Sequence, residues 1–486
     1  MELKYDPAQG EQFWAAVREI PGFPTGDEIP LRTMLIESDA LFRLPEVLNS
    51  LHPGDGRDVL VVMDPTPMRR GGDSLKPLLL QVLRDAGWKP RALVLEPDAS
   101  GQVHTDMPQI ETVKANIQHG VPLLSVGSGV VTDISKHACY LYEKENGWHV
   151  PFLVYQTANS VSAYTSSMAP VFIQGVKRTL SSRYPEAVLC DLETLCDAPY
   201  EMTAAGVGDM LAVFVSFPDW YLAHRLGMDD SYTRLPEALI GPLDQILIEA
   251  AGEIRNRSLR GMAVLAKLIS LGGLAMSLSH ATTPLSGYEH VMSHILDLIN
   301  ELQARPLPMH GSQVALTSVL GAEAYRIFLQ RFSPHSLHLP DCFPDPERMR
   351  THILNAFLEI DPSGKAGEEC WGDYRIKLEG WNRYPEKVGQ FLGEWGAIQA
   401  EIAALASPPE TIFKILRAVE APCAFAELQP PIDEKEARFA FLNAPLMRKR
   451  LTVGDALIFF GFNRETLWAQ VWGVAQAGAG SPKTNP

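Results

Sequence analysis

Four short apolar runs spaced along the first third of the chain limit what it can fold into. DVLVVMD (58–64), ALVLE (92–96), PLLSVGSG (122–129) and PFLVYQT (151–157) recur roughly every 30 residues. Polar or Gly-containing loops and helical patterns, at 73–86 and 109–119 among others, fill the intervals. Runs this short suit buried strands, and strands alternating with helices imply a parallel α/β sheet with crossover connections. The stretch MAPVFIQGVKRTLSSRYPEAVLCD (168–191) offers two more strands to the same domain. After about residue 197 the pattern changes. Long amphipathic segments at 258–280, 289–304, 312–332, 383–406 and 434–443 carry almost no alternation, which predicts an all-α domain. The expected divisions are a helical lead-in (1–55), an α/β domain (56–197), a helical domain (198–474) and a low-complexity, disordered tail (475–486).

A chain of 486 residues is too long for one core, so two or more domains are expected. Its formal charge of -16 repels nucleic-acid phosphates and excludes nucleic acid as a partner. A small anion remains admissible, because a few local N–H groups outweigh the global field at short range. No apolar run of about 18 residues stands out, so no membrane span is expected. The start, MELKYDPAQGEQFW, lacks the form of a secretory signal. Six cysteines without a CxxC pair fit reduced thiols in a cytoplasmic protein. The partner expected is a small molecule, with assembly as a homo-oligomer, a dimer.

Two motifs carry chemistry. In SVGSGVVTDISKHA (125–138) a strand gives way to a helix through Gly127, Ser128 and Gly129. Glycines permit a sharp turn and close approach of a ligand, and the helix-start N–H groups favour a pyrophosphate. Asp133 and Lys136 lie on the first turns of that helix, either near the cofactor or as ordinary helix-end charges. Asp64 ends the first strong strand, where it is either a ribose-hydroxyl acceptor or the Asp-Pro stop of a plain turn. The second motif is dispersed: Asp209 in AAGVGDML, His290 in LSGYEHVMSH and His310 in PMHGSQV. Two imidazoles and a carboxylate suit Zn2+ or Fe2+ and leave positions for water or substrate oxygen. His290 and His294 share one helical face, so either is a ligand or a core histidine.

Taken together, VGSGVVTDISK (126–136), TANSVSAYTSSMAP (157–170), PEAVLCDLETLCDAPYEMTAAGVGDMLA (185–212), LSGYEHVMSHILD (285–297) and PMHG (308–311) resemble the iron-containing alcohol dehydrogenase and dehydroquinate synthase superfamily. Within it they most resemble the glycerol-1-phosphate dehydrogenases of the longer bacterial form, over roughly residues 58–330. The resemblance implies a Rossmann-like N-terminal domain and an all-α C-terminal domain, the dehydroquinate synthase-like fold. It also implies Zn2+ or Fe2+, with Ni2+ a third candidate, on Asp209, His290 and His310. NAD or NADP would lie on the GSG turn, with Thr157 and Ser160 near the nicotinamide. His294 would be a candidate proton relay, and the substrate a polyol or polyol phosphate.

Three positions depart from the family pattern. The PTxxSxDG run reads QTANSVSA, so Ser162 and Ala163 replace an aspartate and a glycine, Ser162 at the position that contacts substrate and cofactor. Val213 stands at a lysine position and Thr283 at an arginine position. Losing two cations weakens phosphate capture, where each charge-assisted bond contributes about 1.5–3 kcal/mol. Lys177, Arg178 and Arg225 are candidate replacements. Besides a dehydrogenase, the sequence admits a dehydroquinate-synthase-like cyclase or lyase, or a metal- and nucleotide-binding protein without turnover.

Overall fold

Among the described residues, six of the ten strands form one all-parallel sheet. The computed structural model describes residues 3–24, 29–98, 101–173 and 176–480. The strands are β1 (Thr33–Glu37), β2 (Asp58–Met63), β3 (Arg69–Arg70), β4 (Asp73–Ser74), β5 (Lys89–Val94), β6 (Leu123–Gly127), β7 (Phe152–Gln156), β8 (Met168–Ile173), β9 (Val176–Ser181) and β10 (Ala187–Asp191). The main sheet runs β1-β10-β7-β6-β2-β5. Every residue of β6, β7 and β10 is buried, as near-continuous apolar runs in a sheet covered on both faces require. At one edge, β5 is exposed along most of its length and begins Lys89-Pro90-Arg91.

Three strand expectations need revision. The lead-in 1–55 is not purely helical, because Thr33–Glu37 pairs in parallel with β10 as an edge strand. Its five residues are too short to stand out beside the proline-rich sequence around them. Residues 168–191 form three strands, and only β10 joins the sheet. β8 and β9 pair antiparallel as a separate two-stranded sheet, and residues 174–175 between them lie outside the described residues.

Chain connectivity reverses between β2 and β6. From β2 the chain crosses to β5 at the edge, then returns to β6 on the other side of β2. In open α/β sheets, ligands bind beyond the carboxyl ends of strands at such a switch point. The register pairs Met63 with Val126, so Asp64 and the Gly127 turn leave the sheet side by side.

The chain divides into two compact units. The first takes Met1–Met210, Arg234–His280 and Ala418–Glu420, and the second takes Leu211–Thr233, Ala281–Arg417 and Ala421–Pro486. This division differs from the one read at residue 198. Helices Tyr200–Met210 and Leu259–Leu278 belong with the sheet because the loop after β7 is laid against them. Thr165 donates to Ser270 O at 2.7 Å, Ser277 Oγ accepts from Ser167 N at 2.7 Å, and Asn159 donates to Met262 O at 3.1 Å. Helix Leu259–Leu278 is long and apolar enough to cross a membrane by length and composition, contrary to the sequence reading. However, 78% of that window is buried within the protein, where a core helix belongs.

Among the described residues the second unit contains helices and no strand. Helices Tyr288–Leu302 and His310–Arg331 lie at its centre with Val213–Arg225 against them. Residues beyond 335 pack on the end of the second of these through edge-on and tilted aromatic contacts. Phe332 meets Trp395 at 4.6 Å and Phe460 at 4.7 Å between ring centroids. The amphipathic stretch 383–406 is two helices, Pro385–Gly393 and Trp395–Leu405. The expected disordered tail begins too early, since helix Arg464–Ala479 runs through its first five residues and 481–486 lie outside the described residues.

Helix Leu259–Leu278 approaches the loop so closely that a Cβ on Gly273 would sit 2.2 Å from Thr165 Oγ1 and 2.6 Å from Ser162 O. Gly273→Ala should therefore lower the unfolding free energy in urea by about 2 kcal/mol. Gly252→Ala, where nothing lies within 4 Å, should leave it unchanged or slightly raised.

Candidate functional site

In the first unit, the turn after β6 opens helix Gly129–Asn146, with Ser128 as its N-cap residue. The Ser128 side chain makes no capping bond, so the first N–H groups of the helix are left to a ligand or water. Neither Gly127 nor Gly129 has a positive φ. Glycine is needed for space: a Cβ on Gly127 would meet Val131 at 2.5 Å, and one on Gly129 would meet Val161 at 2.5 Å. Thr157 N donates to Gly127 O at 3.2 Å, which joins the loop after β7 to this turn.

Asp64 is tied on both carboxylate oxygens. Lys76 Nζ lies 2.8 Å from Oδ1 and 2.7 Å from Thr66 O, while Thr66 Oγ1 donates to Oδ2 at 2.8 Å. Asp133 is neither a surface helix-end charge nor aimed at open space. It forms a buried pair with Lys136, Nζ to Oδ1 at 2.8 Å. Burial raises the Asp133 carboxyl above its ordinary range, and Lys136 opposes the shift. The same ammonium donates to Ala163 O at 2.8 Å and Met168 O at 2.9 Å, so one buried lysine fixes both ends of the loop segment carrying Tyr164–Ser167.

That loop carries the remaining candidates of the first unit. Ser160 and Tyr164 share a 3.3 Å contact, and Tyr164 donates to Ala158 O. Ser162 donates from its backbone N–H and its hydroxyl to Asp209 Oδ2, both at 2.9 Å. The hydroxyl that replaces the family's aspartate therefore orients a carboxylate. Gly206, in the same helix as Asp209, allows this approach, since a Cβ there would lie 2.0 Å from Asn159 O.

In the second unit, three imidazoles cluster where helices Tyr288–Leu302 and His310–Arg331 meet. Ring centroids are 5.1 Å apart for His290 and His310, 6.0 Å for His294 and His310, and 6.3 Å for His290 and His294. His290 Nδ1 lies 2.9 Å from Glu289 Oε1, and Ser293 Oγ lies 3.3 Å from His310 Nδ1. With Nδ1–H donating to the carboxylate, the lone pair of His290 resides on Nε2, as a metal ligand requires. Glu289 Oε2 is buried and has no hydrogen-bond donor. A cation bound at His290 would balance that charge, so the residues fit a divalent metal.

Asp219 had no signal in the sequence, yet it lies at the centre of this unit. It accepts from Tyr288 N at 2.7 Å, Val453 N at 2.7 Å and Tyr325 OH at 2.5 Å. Burial, then the neighbouring charge of Glu289, pushes its carboxyl up to about 8. Gly287 is required here: a Cβ would fall 2.6 Å from Asp219 Oδ2 and 2.9 Å from Glu289 Oε2. Arg450 bonds to Ser286 O and, at 2.6 Å, to Thr282 Oγ1. A guanidinium thus reaches the loop in which Thr283 replaces an arginine, and burial lowers it to about 10. Val213 is buried at the start of its helix, and Arg225 is engaged by Tyr221 and Glu394.

Residues 35–199 match the iron-containing alcohol dehydrogenase family. The glycerol-1-phosphate dehydrogenase [NAD(P)+] of Geobacillus stearothermophilus is 28% identical over 358 residues, covering 69% of this chain and 85% of that one. A probable glycerol dehydrogenase from Sinorhizobium meliloti 1021 aligns in structure with a TM-score of 0.54 at 16% identity, over 93% of this chain and 98% of that one. The 2-epi-5-epi-valiolone synthase ValA of Streptomyces hygroscopicus subsp. jinggangensis 5008, solved with NAD+ and Zn2+ bound, aligns at 0.51 and 15% identity, over 94% and 98%. These two structural likenesses carry the fold alone. In sequence, the chain is similar to the iron-containing alcohol dehydrogenase superfamily. Within that superfamily, it is similar in sequence to the glycerol-1-phosphate dehydrogenases.

Two measurements check this construction. Lys136→Met strands a buried carboxylate and should cost about 3–5 kcal/mol in urea unfolding, most of it recovered in Lys136→Met/Asp133→Leu. Folded Asp219 keeps a proton that the unfolded chain releases near 3.8. Stability should therefore fall as pH rises from about 4 to about 8 and level off above, with Asp219→Asn flattening that slope.

Proposed function

We propose that the chain is an NAD(P)-dependent and metal-dependent dehydrogenase that interconverts a small polyol, or its phosphate, and the matching ketone. The donor set carries the reading: an oriented carboxylate, Asp209, and two oriented imidazoles, His290 and His310. That set suits Zn2+, Fe2+ or Ni2+ and leaves coordination positions for an oxygen ligand. Asp209 lies two residues before Leu211, where the second unit begins. The relatives in sequence are named as glycerol-1-phosphate dehydrogenases using NAD(P)+, which supports a dehydrogenase over a cyclase or lyase.

When bound, the metal supplies Lewis acidity at a substrate oxygen and the nicotinamide supplies the hydride acceptor. The protein's own residues bind and orient. Gly127, Ser128 and Gly129 receive the pyrophosphate on helix-start N–H groups, while Asp64, with Lys76 beside it, lines the ribose end at the switch point. Thr157 and Ser160 belong to the loop toward the nicotinamide, and Asp133 acts from behind by holding Lys136. Ser162 orients Asp209. His294, one turn from His290, is the proton-relay candidate. Arg450 supports the phosphate-bearing form of the substrate, since it returns a positive charge to the loop at Thr283.

Metal analysis of protein purified without chelators tests the assignment, with about one divalent metal per chain expected. Asp209→Ala and His310→Ala should each lose the metal while keeping the fold by circular dichroism. Protein with no metal would overturn the donor set. A nicotinamide-absorbance screen over polyols, glycerol phosphates and dihydroxyacetone phosphate should find turnover. Metal and nucleotide bound without turnover on any of these would replace the enzyme with a binding protein.

A further inference from the structure

The residues beyond 335 match none of the family segments quoted above, yet they converge on the start of the helix that carries His290. Tyr288 donates through its hydroxyl to Phe441 O, and its ring fills the space that a Cβ on Gly454 would need, 2.7 Å from Cε2. Arg450 holds Ser286 O. Val453, the first residue of helix Val453–Phe459, gives its N–H to Asp219 Oδ1, and Asp219 Oδ2 in turn accepts from Tyr288 N. On the other side of Tyr288, Glu289 Oε1 accepts from Gly287 N at 2.6 Å and faces His290 Nδ1.

Packing alone does not account for this arrangement. Two carboxylates are buried around one glycine, and one of their oxygens has no donor. Apolar residues of similar shape would brace a helix end at less cost. What carboxylates add is direction: one holds the imidazole tautomer and ring plane, the other holds the backbone from which that imidazole projects.

We infer that Glu289 and Asp219 are positioning residues for His290, and that the C-terminal segment completes their brace through Val453. Glu289 acts directly on the imidazole. Asp219 acts one step further out, linking helices Val213–Arg225 and His310–Arg331 and the 453 helix to the Tyr288 backbone. This inference rests on the metal reading proposed above.

The test measures metal affinity, with activity left aside. Chelator-stripped protein is titrated with Zn2+ against a chromophoric competitor and with Co2+ by its visible ligand-field bands. Glu289→Gln should weaken Zn2+ binding by roughly 10–100-fold and alter the Co2+ bands, while the stripped protein melts near the wild-type temperature. Val453→Pro removes the N–H to Asp219 at a position that tolerates proline, because proline is accepted at the first position of a helix and Thr452 is already extended; Val453→Ala, which keeps the N–H, controls for the buried side chain. Val453→Pro should weaken Zn2+ in the same direction, and it tests the brace without touching either carboxylate. Unchanged Zn2+ affinity in both Glu289→Gln and Val453→Pro, with the wild type binding normally, would overturn the inference alone. Failure of the wild type to bind either metal would overturn the metal reading and the inference together.

Discussion

One buried ammonium holds the first unit's candidate site together. Lys136 is fully buried, and such a charge persists in a protein interior only when its donors are satisfied. Here Asp133 and the carbonyls of Ala163 and Met168 satisfy them, so the helix behind the glycine turn and the loop after β7 are bound to the same atom. The loop can then present Ser162 to Asp209 at a fixed distance and lie along helix Leu259–Leu278. The turn, the loop and the carboxylate are therefore one mechanical object.

The second unit meets the same requirement with the opposite sign. Two of its buried acids, Glu289 and Asp219, act on His290 from within its own helix turn and from a distant segment. In both units a polar side chain kept out of water orients what it touches, at a cost that apolar packing would not carry. Glycine recurs at these points because side chains and backbone from other segments fill the space a Cβ would need, as at Gly206, Gly273 and Gly287. None of these three glycines has a positive φ.

The strands β2, β6, β7 and β10 were legible because a buried parallel strand is a continuous apolar run, and the pattern between them forced crossovers. The GSG turn was legible in type but not in cause, since its glycines answer to Val131 and Val161. β1 was missed because its five residues alternate weakly and belong to the sheet only through β10, some 150 residues later. The division near 198 followed a change of periodicity, while contacts follow which loop lies on which helix. Of the candidate residues, Asp133 and Asp64 turned out to be held by Lys136, on Asp133's own helix, and by Lys76, on the helix that follows Asp64. Asp219 was invisible because its partners, Tyr288, Tyr325 and Val453, lie roughly 70 to 230 residues away. No local pattern records a group whose role is assembled from that far along the chain.

The dependence of the His290 helix on Val453 has a consequence for how the protein is made. The ribosome delivers the chain from its N-terminus at about 5–20 residues per second. His290 therefore emerges roughly 160 residues, or on the order of 8–30 s, before the N–H that completes its support. During that interval Glu289 on the nascent helix and Asp219 on helix Val213–Arg225 have not yet been enclosed, and they remain hydrated. Closure of this part of the protein is then a late event, and a chain that stops short of Val453 is one in which it never occurs.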